Sequence, residues 1–329
     1  MSFWNDRRVF VTGATGFLGY ALTDELLDRG ADVVALVRDR VPRAPFFSER
    51  VAERVATVNG SVEDYDLLER AINEHEIDTV FHLAAQAIVG VANRDPLGTF
   101  EANIKGTWCL LEACRRNDRV TRVVAASSDK AYGSHDVLPY SEDCALQGKH
   151  PYDVSKSCAD LICATYHNTW RTPVCVTRCG NLFGPGDLNY SRIVPGTIRS
   201  VLRGERPIIR SDGTPMRDYV HVRDIANAYI LLAEKMEDPA VHGRAYNFGT
   251  GEPMSVLDLT RRLLAACGRE DLEPDVLNEG KGEILHQYLS SDRARDELGW
   301  RPGASVGERL DETVAWYREH LAEETGAAV

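Results

Sequence analysis

The sequence predicts an α/β protein built on a doubly wound parallel sheet, with a smaller C-terminal lobe interleaved with it. Two observations lead to this fold class. Apolar strand-like runs alternate with amphipathic helical patterns through the first half of the 329-residue chain, which is the order of elements in a parallel sheet covered by helices. The first run ends in a glycine-rich turn, as expected where such a sheet begins.

Six runs read as consecutive strands: RVFVTG, DVVALV, RVATVNG, TVFHLAA, RVVAASS and PVCVTRCGNLFG. The second is followed by a basic loop, and the first, third, fourth and fifth by amphipathic helices. From about Asp187 the alternation is lost, although RDYVHV and AYNFGTG still read as strands around a helix, DIANAYILLAEKM. We therefore expect a first domain over 1–186, to which 218–250 returns, and a second lobe over 187–217 and 251–329.

Composition excludes several classes of partner. The formal charge is -12, with acidic and basic residues interspersed, so no basic patch favours nucleic acid or an anionic membrane surface. No apolar run approaches the ~18 residues that span a bilayer, and we expect a cytosolic protein. The eight cysteines form no C-x-x-C pair and no metal-ligand spacing, so reduced core thiols and no metal are predicted.

The glycine-rich turn has the chemistry of a dinucleotide site. Gly13, Gly16 and Gly19 lie in TGATGFLG, between the first strand and the first helix. Glycines there allow backbone N–H groups to approach a pyrophosphate at a helix N-terminus. The alternative is a purely structural turn. The predicted cofactor contacts of this segment are Gly13, Thr15, Gly16, Phe17, Leu18 and Gly19.

The spacing G-x-x-G-x-x-G resembles that of the short-chain dehydrogenase/reductase superfamily, whose extended branch binds NAD(P) there. NAD-binding relatives usually place an acid at the end of the second strand, where this chain has Val37 followed by Arg38. An arginine suits a 2′-phosphate, so NADP is favoured, and Asp39 keeps NAD possible. The branch usually has Gly-Asp where this chain has Gly60-Ser61, and a hydroxyl can still accept a bond from adenine.

The segment HPYDVSK carries a candidate catalytic pair. Tyr152 and Lys156 are four residues apart, on one face of a helix start, and Ser128 ends the fifth strand. A nearby ammonium favours the phenolate of a tyrosine that acts as a base. A surface Tyr and Lys that never meet is the alternative, since Y-x-x-x-K is common by chance.

Taken together, the motifs resemble extended short-chain dehydrogenases/reductases that act on nucleotide sugars, over nearly the whole chain. The matching segments are VFHLAAQ, ANIKGTWCLLEA, SSDKAYG, PYDVSK, TRCGNLFGPGD, RDYVHVRDIANAY, YNFGTGE and RARDELGW. The resemblance implies a Rossmann-like cofactor domain over 1–186 and a nucleotide-sugar-binding lobe over 187–217 and 251–329. It also implies further cofactor contacts at Arg38, Ser61, Val62, Leu83, Ala84, Ala85, Asn103, Tyr152 and Lys156.

The tripeptide Ser128-Asp129-Lys130 resembles the 4,6-dehydratases, above all those of CDP-glucose and GDP-mannose. In that group the two residues after the Ser or Thr are an added acid and base, which 4-epimerases usually lack. The resemblance implies that Lys130 removes the C5 proton of a hexose and that Asp129 protonates the departing C6 hydroxyl. A 4-epimerase, a non-catalytic NAD(P)-binding protein, or a turn with an Asp and a solvated Lys are the alternatives.

Substrate contacts are also implied by the resemblance. The diphosphate clamps are expected at Arg192 and Arg217, since guanidinium groups grip phosphate in bidentate fashion, although capping or ion pairing could equally occupy them. Other expected contacts are Gln86, Ser128, Asn181 and Glu283. The GPGDLNYSRIVP segment departs from the CDP-glucose enzymes, so the nucleotide and the hexose stay open. Family members dimerise through two helices that match TFEANIKGTWCLLEACRR and DVSKSCADLICATYHNTW, which implies a homodimer.

Overall fold

The protein was analysed as a computed structural model, which describes residues 2–279 and 284–325. Over these residues the strands are β1 (Arg8–Thr12), β2 (Asp32–Val37), β3 (Ala56–Asn59), β4 (Thr79–His82), β5 (Arg122–Ala126), β6 (Val174–Cys179), β7 (Asn181–Phe183), β8 (Ile208–Ile209), β9 (Met216–Arg217), β10 (Tyr219–His221), β11 (Ala245–Phe248), β12 (Met254–Ser255), β13 (Asp275–Val276) and β14 (His286–Gln287). The α-helices are α1 (Phe17–Asp28), α2 (Pro45–Ser48), α3 (Tyr65–Glu74), α4 (Val89–Arg94), α5 (Pro96–Phe100), α6 (Gly106–Arg115), α7 (Pro151–Trp170), α8 (Ile193–Leu202), α9 (Val222–Lys235), α10 (Val256–Ala266) and α11 (Val306–Thr325).

The centre of the fold is a seven-stranded sheet in the order β11-β6-β5-β4-β1-β2-β3. Each of its strand pairs is parallel. The order reverses between β1 and β4, and ligands of doubly wound sheets bind at the carboxyl ends of the strands beside such a point. The predicted doubly wound α/β fold is confirmed by this sheet.

Both faces of the sheet are covered, which explains the nearly continuous apolar runs of its strands. One core contains Val9, Val11, Val33 and Phe248, packed with residues of α1 and α9. The other contains Phe10, Val34, Val80 and Val123, packed with residues of α3 and α6. Alternate residues of β1, such as Val9 and Phe10, thus face opposite cores.

A third core lies in the C-terminal part of the chain. Its members come mainly from α8, α10 and α11, and Phe183 and Tyr219 join them. Three small sheets accompany it: β7 with β10, β8 with β13, and β12-β9-β14. The separate core is the basis for expecting a second lobe, and the residue bounds of the two lobes stay a prediction.

Local sequence explains the ends of the helices that frame the site. Helix α7 begins with Pro151 at its first position, where the missing N–H costs no hydrogen bond. Asp64 caps α3 by accepting a bond from the Leu67 N–H at 3.0 Å. The one-turn helix α2 lies where the sequence predicted only a basic loop, and Pro45 starts it.

Within residues 2–279 and 284–325, no helix is both long enough and apolar enough to cross a membrane. The eight cysteines are free, and six of them are buried.

Candidate active site

A cavity of about 1050 Å³ opens at the carboxyl ends of the central strands. The ends of β1, β2, β4, β5 and β6 all reach it, through Gly13, Arg38, Leu83, Ser127 and Gly180. Its far wall comes from the C-terminal part, including Arg192, Arg217 and Gln287. One cavity therefore brings residues of both predicted lobes together, with the volume needed for a cofactor and a substrate.

The glycine turn fits a bound pyrophosphate. Gly13 has φ +75°, and a Cβ there would lie 2.7 Å from the backbone of Ala84; a Cβ on Gly19 would lie 2.0 Å from the Gly13 carbonyl oxygen. The N-cap of α1 is Gly16, without a side-chain cap, so the first N–H groups of this helix are not bonded by a capping side chain. Uncapped donors at the positive end of a helix are the chemistry that a pyrophosphate requires. The predicted residues Gly13, Thr15, Gly16, Phe17, Leu18 and Gly19 all line the cavity.

The rim near β2 holds the residues on which the cofactor preference was based. Strand β2 ends at Val37, as predicted. Arg38 and Asp39 line the cavity and form an ion pair, with Nε 2.6 Å from Oδ2. Both side chains are well exposed. A guanidinium such as that of Arg38 can bind a 2′-phosphate, and a carboxylate such as that of Asp39 can accept hydrogen bonds from ribose hydroxyls.

Other predicted cofactor contacts divide into two groups. Those that line the cavity are Ser61, Val62, Leu83, Ala84 and Ala85. Asn103 is buried and bonds the backbone of Gln86, accepting from its N–H at 2.6 Å and donating to its carbonyl at 3.1 Å. Asn103 also donates to Ser155 Oγ at 2.9 Å. Asn103 and Gln86 are not among the lining residues of the cavity. Their hydrogen bonds therefore support the cavity wall from behind, and direct contacts of these two residues with a ligand stay predictions.

Tyr152 and Lys156 lie on the first two turns of α7 and face the cavity beside Ser128. Burial raises the pKa of Tyr152 to about 12, with Asp129 adding to the rise and a hydrogen bond to Ser128 opposing it. Burial lowers the pKa of Lys156 to about 8, and its Nζ donates to the Ala126 carbonyl at 2.7 Å. An ammonium close to a phenol favours ionisation of the phenol, and both of these side chains line the same cavity.

Asp129 and Lys130 form an ion pair in the cavity wall. Lys130 Nζ lies 3.0 Å from Asp129 Oδ2, and Asp129 is 2% exposed. Ser128 donates to the other carboxylate oxygen, Oδ1, at 3.0 Å. These two residues are therefore not a solvated turn.

Gln287 was missed by sequence reasoning. Its Oε1 accepts from Lys130 Nζ at 2.5 Å and its Nε2 donates to the Asp129 carbonyl at 3.0 Å, and it is fully buried. Gln287 sits on β14, which pairs with β9, so the C-terminal part of the chain holds the Asp129-Lys130 dipeptide. No local pattern could have predicted a contact over 158 positions.

The predicted phosphate clamps reach the cavity but have other partners in this structure. Arg192 Nη1 lies 3.0 Å from Oδ2 of the buried Asp187, and Arg217 donates to the carbonyls of Met216 and Leu285. Asn181 also lines the cavity. Glu283 lies outside the described residues, so its role stays a prediction.

Asp153 and Tyr229 are further cavity residues that sequence reasoning missed. Asp153 follows Tyr152, and burial raises the pKa of its carboxyl. Tyr229, from α9, lines the cavity, and burial raises its pKa well above the ordinary value. The Y-x-x-x-K pattern could have drawn attention to Asp153, because it lies between the paired residues on the same helix.

Comparison with known proteins identifies the family. The model of the NAD dependent epimerase/dehydratase family matches residues 9–249. The chain belongs to this family. The chain is similar to the CDP-glucose 4,6-dehydratase of Salmonella typhimurium, with 30% identity over 96% of this chain and 92% of the relative.

Two solved structures of the epimerase/dehydratase family show the same fold. The dTDP-glucose 4,6-dehydratase of Streptomyces venezuelae, crystallised with NAD, has a TM-score of 0.85 and 28% identity, covering 96% of this chain and 98% of that chain. The UDP-glucose 4-epimerase of Thermotoga maritima, crystallised with UDP-glucose, has a TM-score of 0.86 and 29% identity, covering 95% and 99%. The resemblance to extended short-chain dehydrogenases/reductases is confirmed, and dehydratases and epimerases are both among the relatives.

Proposed function

We propose that the protein is a nucleotide-sugar 4,6-dehydratase, which converts an NDP-hexose to the NDP-4-keto-6-deoxyhexose. The observation that carries the proposal is the ion pair of buried Asp129 with half-buried Lys130, in which Ser128 donates to Asp129, in the cavity that also contains Tyr152. A 4-epimerase needs only Tyr152 and the cofactor. An additional acid and base in the same cavity as that tyrosine would supply the two extra proton transfers of a dehydration.

The oxidation of C4 depends on Tyr152, Ser128 and Lys156. Tyr152 receives the proton of the C4 hydroxyl, assisted by the hydrogen bond to Ser128 and by the charge of Lys156. A nicotinamide cofactor held by the turn from Gly13 to Gly19 would supply the acceptor for the C4 hydride and the source of the hydride that C6 receives. The resulting C4 ketone makes the neighbouring C5–H acidic, which prepares the elimination.

The elimination depends on Asp129 and Lys130. Lys130, as the free amine, takes the C5 proton, and Asp129, as the carboxylic acid, gives a proton to the leaving C6 hydroxyl. Lys130 then returns a proton to C5. Gln287 accepts a hydrogen bond from Lys130 Nζ and donates one to the Asp129 carbonyl, so it holds the proposed acid and base in the cavity wall.

The cofactor proposal favours NADP, with NAD as the alternative. Arg38 on the cavity rim supports NADP, because a guanidinium can pair with a 2′-phosphate. Asp39 and the NAD in the Streptomyces venezuelae relative support the alternative. In this proposal, residues 1–186 and 218–250 bind the cofactor, and residues 187–217 and 251–329 bind the sugar nucleotide. Its proposed contacts are Arg192 and Arg217 in the second lobe and Asn181 in the first domain.

A homodimer is also part of the proposal. Helices α6 and α7 carry large exposed apolar side chains, namely Trp108 (44%), Leu161 (58%) and Trp170 (49%). Covering such side chains with a second copy removes apolar surface from water. Light scattering after size exclusion of the wild type and of Leu161→Asp tests it, with a dimer expected for the first and a monomer for the second.

The reaction is tested by mass spectrometry of the sugar nucleotide. The enzyme, with NAD or NADP, is incubated in deuterated water with CDP-, dTDP-, UDP- and GDP-hexoses. Loss of one water and gain of one deuterium at C5 for one of them is the expected result, and Lys130→Met should abolish it. A C4 epimer without loss of water, formed equally by Lys130→Met, would make the protein an epimerase.

A further inference from the structure

The amine of Lys130 must be aimed at one C–H bond to act as the base of the proposed elimination, on which this inference rests. A lysine amine ends a flexible stem of four carbons, and the Lys130 side chain is 22% exposed in the cavity wall. The residue lies in a one-turn 3₁₀ helix, Asp129–Tyr132. A group on such a stem reaches the geometry that a reaction needs only where other residues hold it.

Gln287 holds this amine. Its Oε1 accepts from Lys130 Nζ at 2.5 Å, and its Nε2 donates to the Asp129 carbonyl at 3.0 Å. One planar amide thus connects the end of the lysine side chain to the backbone beside that lysine. Gln287 is fully buried, so loss of either bond would leave a buried polar group unsatisfied, which is unfavourable. The two bonds therefore fix the orientation of the amide.

The two acceptors of Lys130 Nζ leave one position of the free amine for the substrate. Asp129 Oδ2 lies 3.0 Å from Nζ, and Gln287 Oε1 lies 2.5 Å from it. A free amine has two N–H groups and one lone pair, so these two oxygens can accept both hydrogens. Asp129 can still accept through one oxygen when it is a carboxylic acid. The lone pair is then the position left for the C5 proton, and without Gln287 the amine could turn it away.

Gln287 comes from the proposed second lobe, whereas the residues proposed for the oxidation come from the first domain. Gln287 lies on β14 and pairs in register with Arg217 on β9, which is a proposed contact of the sugar nucleotide. Tyr152 and Lys156 lie on α7. The base of the elimination is thus held by a strand beside the sugar nucleotide, and the tyrosine of the oxidation is carried by a helix of the cofactor domain.

We propose that Gln287 is a positioning residue for the elimination: it directs the amine of Lys130 at the C5–H bond, and the oxidation of C4 does not need it. Gln287 neither takes nor gives a proton in this role. Lys130 accepts the C5 proton and later returns it, so the atoms and charges of the proposed reaction are unchanged. Loss of the Gln287 amide should therefore separate the two half-reactions, whereas loss of a residue that only supports the wall would slow both.

The test compares the wild type with Gln287→Met, Lys130→Met and the double variant in single-turnover reactions with the sugar nucleotide that the wild type dehydrates. The near-ultraviolet absorbance of the reduced nicotinamide follows the oxidation, and mass spectrometry follows the loss of water. Gln287→Met should reduce the cofactor at the wild-type rate but lose water roughly 10²-fold more slowly, as expected for a misplaced catalytic group. Reduced cofactor should therefore accumulate in this variant.

The double variant tests whether Gln287 acts through Lys130. Without the lysine there is no amine to direct, so the double variant should oxidise and eliminate at the rates of Lys130→Met alone. Gln147 offers a matched control, because it is an exposed glutamine whose Nε2 donates to the Ser134 carbonyl at 3.1 Å. Gln147→Met should follow the wild type in both half-reactions.

Three results would overturn the positioning role. Gln287→Met could lose water as fast as the wild type, its oxidation and elimination could slow by the same factor, or the double variant could oxidise more slowly than Lys130→Met. The proposed function would survive each of these results, because the wild type would still dehydrate the sugar. A wild type that forms only a C4 epimer would instead overturn the proposed function, and the positioning role with it.

Discussion

Replacing Lys156 by methionine should remove a pH-dependent cost to stability that the active site imposes on the fold. Burial lowers the pKa of Lys156 from 10.5 to about 8, and the residue is 6% exposed. In the unfolded chain the amine regains its ordinary pKa. The two states therefore bind different numbers of protons between about pH 8 and pH 10.5, and stability must depend on pH in that window.

The sign follows from which state binds more protons. Between the two pKa values the unfolded chain holds the proton on Lys156 and the folded chain does not, so this group makes stability rise with pH. Below pH 8 both states are protonated, and the folded state carries the full cost of the buried ammonium. A pKa shift of this size means that the buried ammonium lowers the free energy of unfolding by about 3 kcal/mol. Roughly 2–3 kcal/mol of this cost should disappear between pH 7 and pH 10.

Urea denaturation of the wild type and Lys156→Met at pH 7 and pH 10 measures this effect as a difference. Loss of the bond to the Ala126 carbonyl costs the variant about 1–3 kcal/mol at both pH values, so only the change in the difference is predicted. The free energy of unfolding of the variant minus that of the wild type should therefore be larger at pH 7 than at pH 10. Two neighbours that interact with Lys156 do not titrate in this window, because burial holds the pKa of His82 at about 3 and that of Cys179 at about 12.

The exposed Lys235 on α9 offers a matched control. Lys235→Met should follow the wild type at both pH values. If the difference for Lys156→Met stayed constant to within about 0.5 kcal/mol, Lys156 would carry no burial cost. The site would then not hold an ammonium against its desolvation.

Three further predictions follow from the same contacts. Tyr152→Phe should lose roughly 10²–10⁴ in the rate of cofactor reduction, because it removes the proposed base; an unchanged rate would remove Tyr152 from the mechanism. Asp160→Asn breaks a bidentate pair with Arg178, at 2.8 Å for each bond and with both side chains 7% exposed; urea unfolding should show a loss of about 3–5 kcal/mol, whereas Glu53→Gln in an exposed pair should leave the free energy of unfolding unchanged. Arg38→Ala should weaken NADP binding at least tenfold and leave NAD within about twofold, by calorimetry, if the guanidinium pairs with the 2′-phosphate; equal effects on both would refute that role.

The sequence predicted the features of the fold that depend on local pattern. Strand β2 ends at Val37 as expected, because alternating apolar runs and turns are local signals. Gly13 and Gly19 were recognised because their positions require the absence of a Cβ. The positions of Tyr152 and Lys156 in one cavity follow from a spacing of one helical turn after a strand that ends nearby.

What the sequence could not predict depends on contacts between distant segments. Gln287 meets Lys130 across 157 positions, and neither residue carries a periodic signal of the other. Arg192 was expected to hold phosphate, yet Asp187 occupies one of its nitrogens, because an arginine in an acidic chain has several possible partners. The pairing of Asn103 with Gln86 behind the wall was hidden for the same reason.

The position of Gln287 on β14 also orders events during synthesis of the protein. The residues of the cofactor turn, and Tyr152 and Lys156 of α7, are made in the first half of the chain, whereas the strand that fixes Asp129 and Lys130 is made near its end. Domains generally fold as units while the chain emerges, and contacts distant in sequence form late. A nascent chain can therefore assemble its dinucleotide cleft before it can hold the acid and base, so the ability to expel water from a sugar is acquired last.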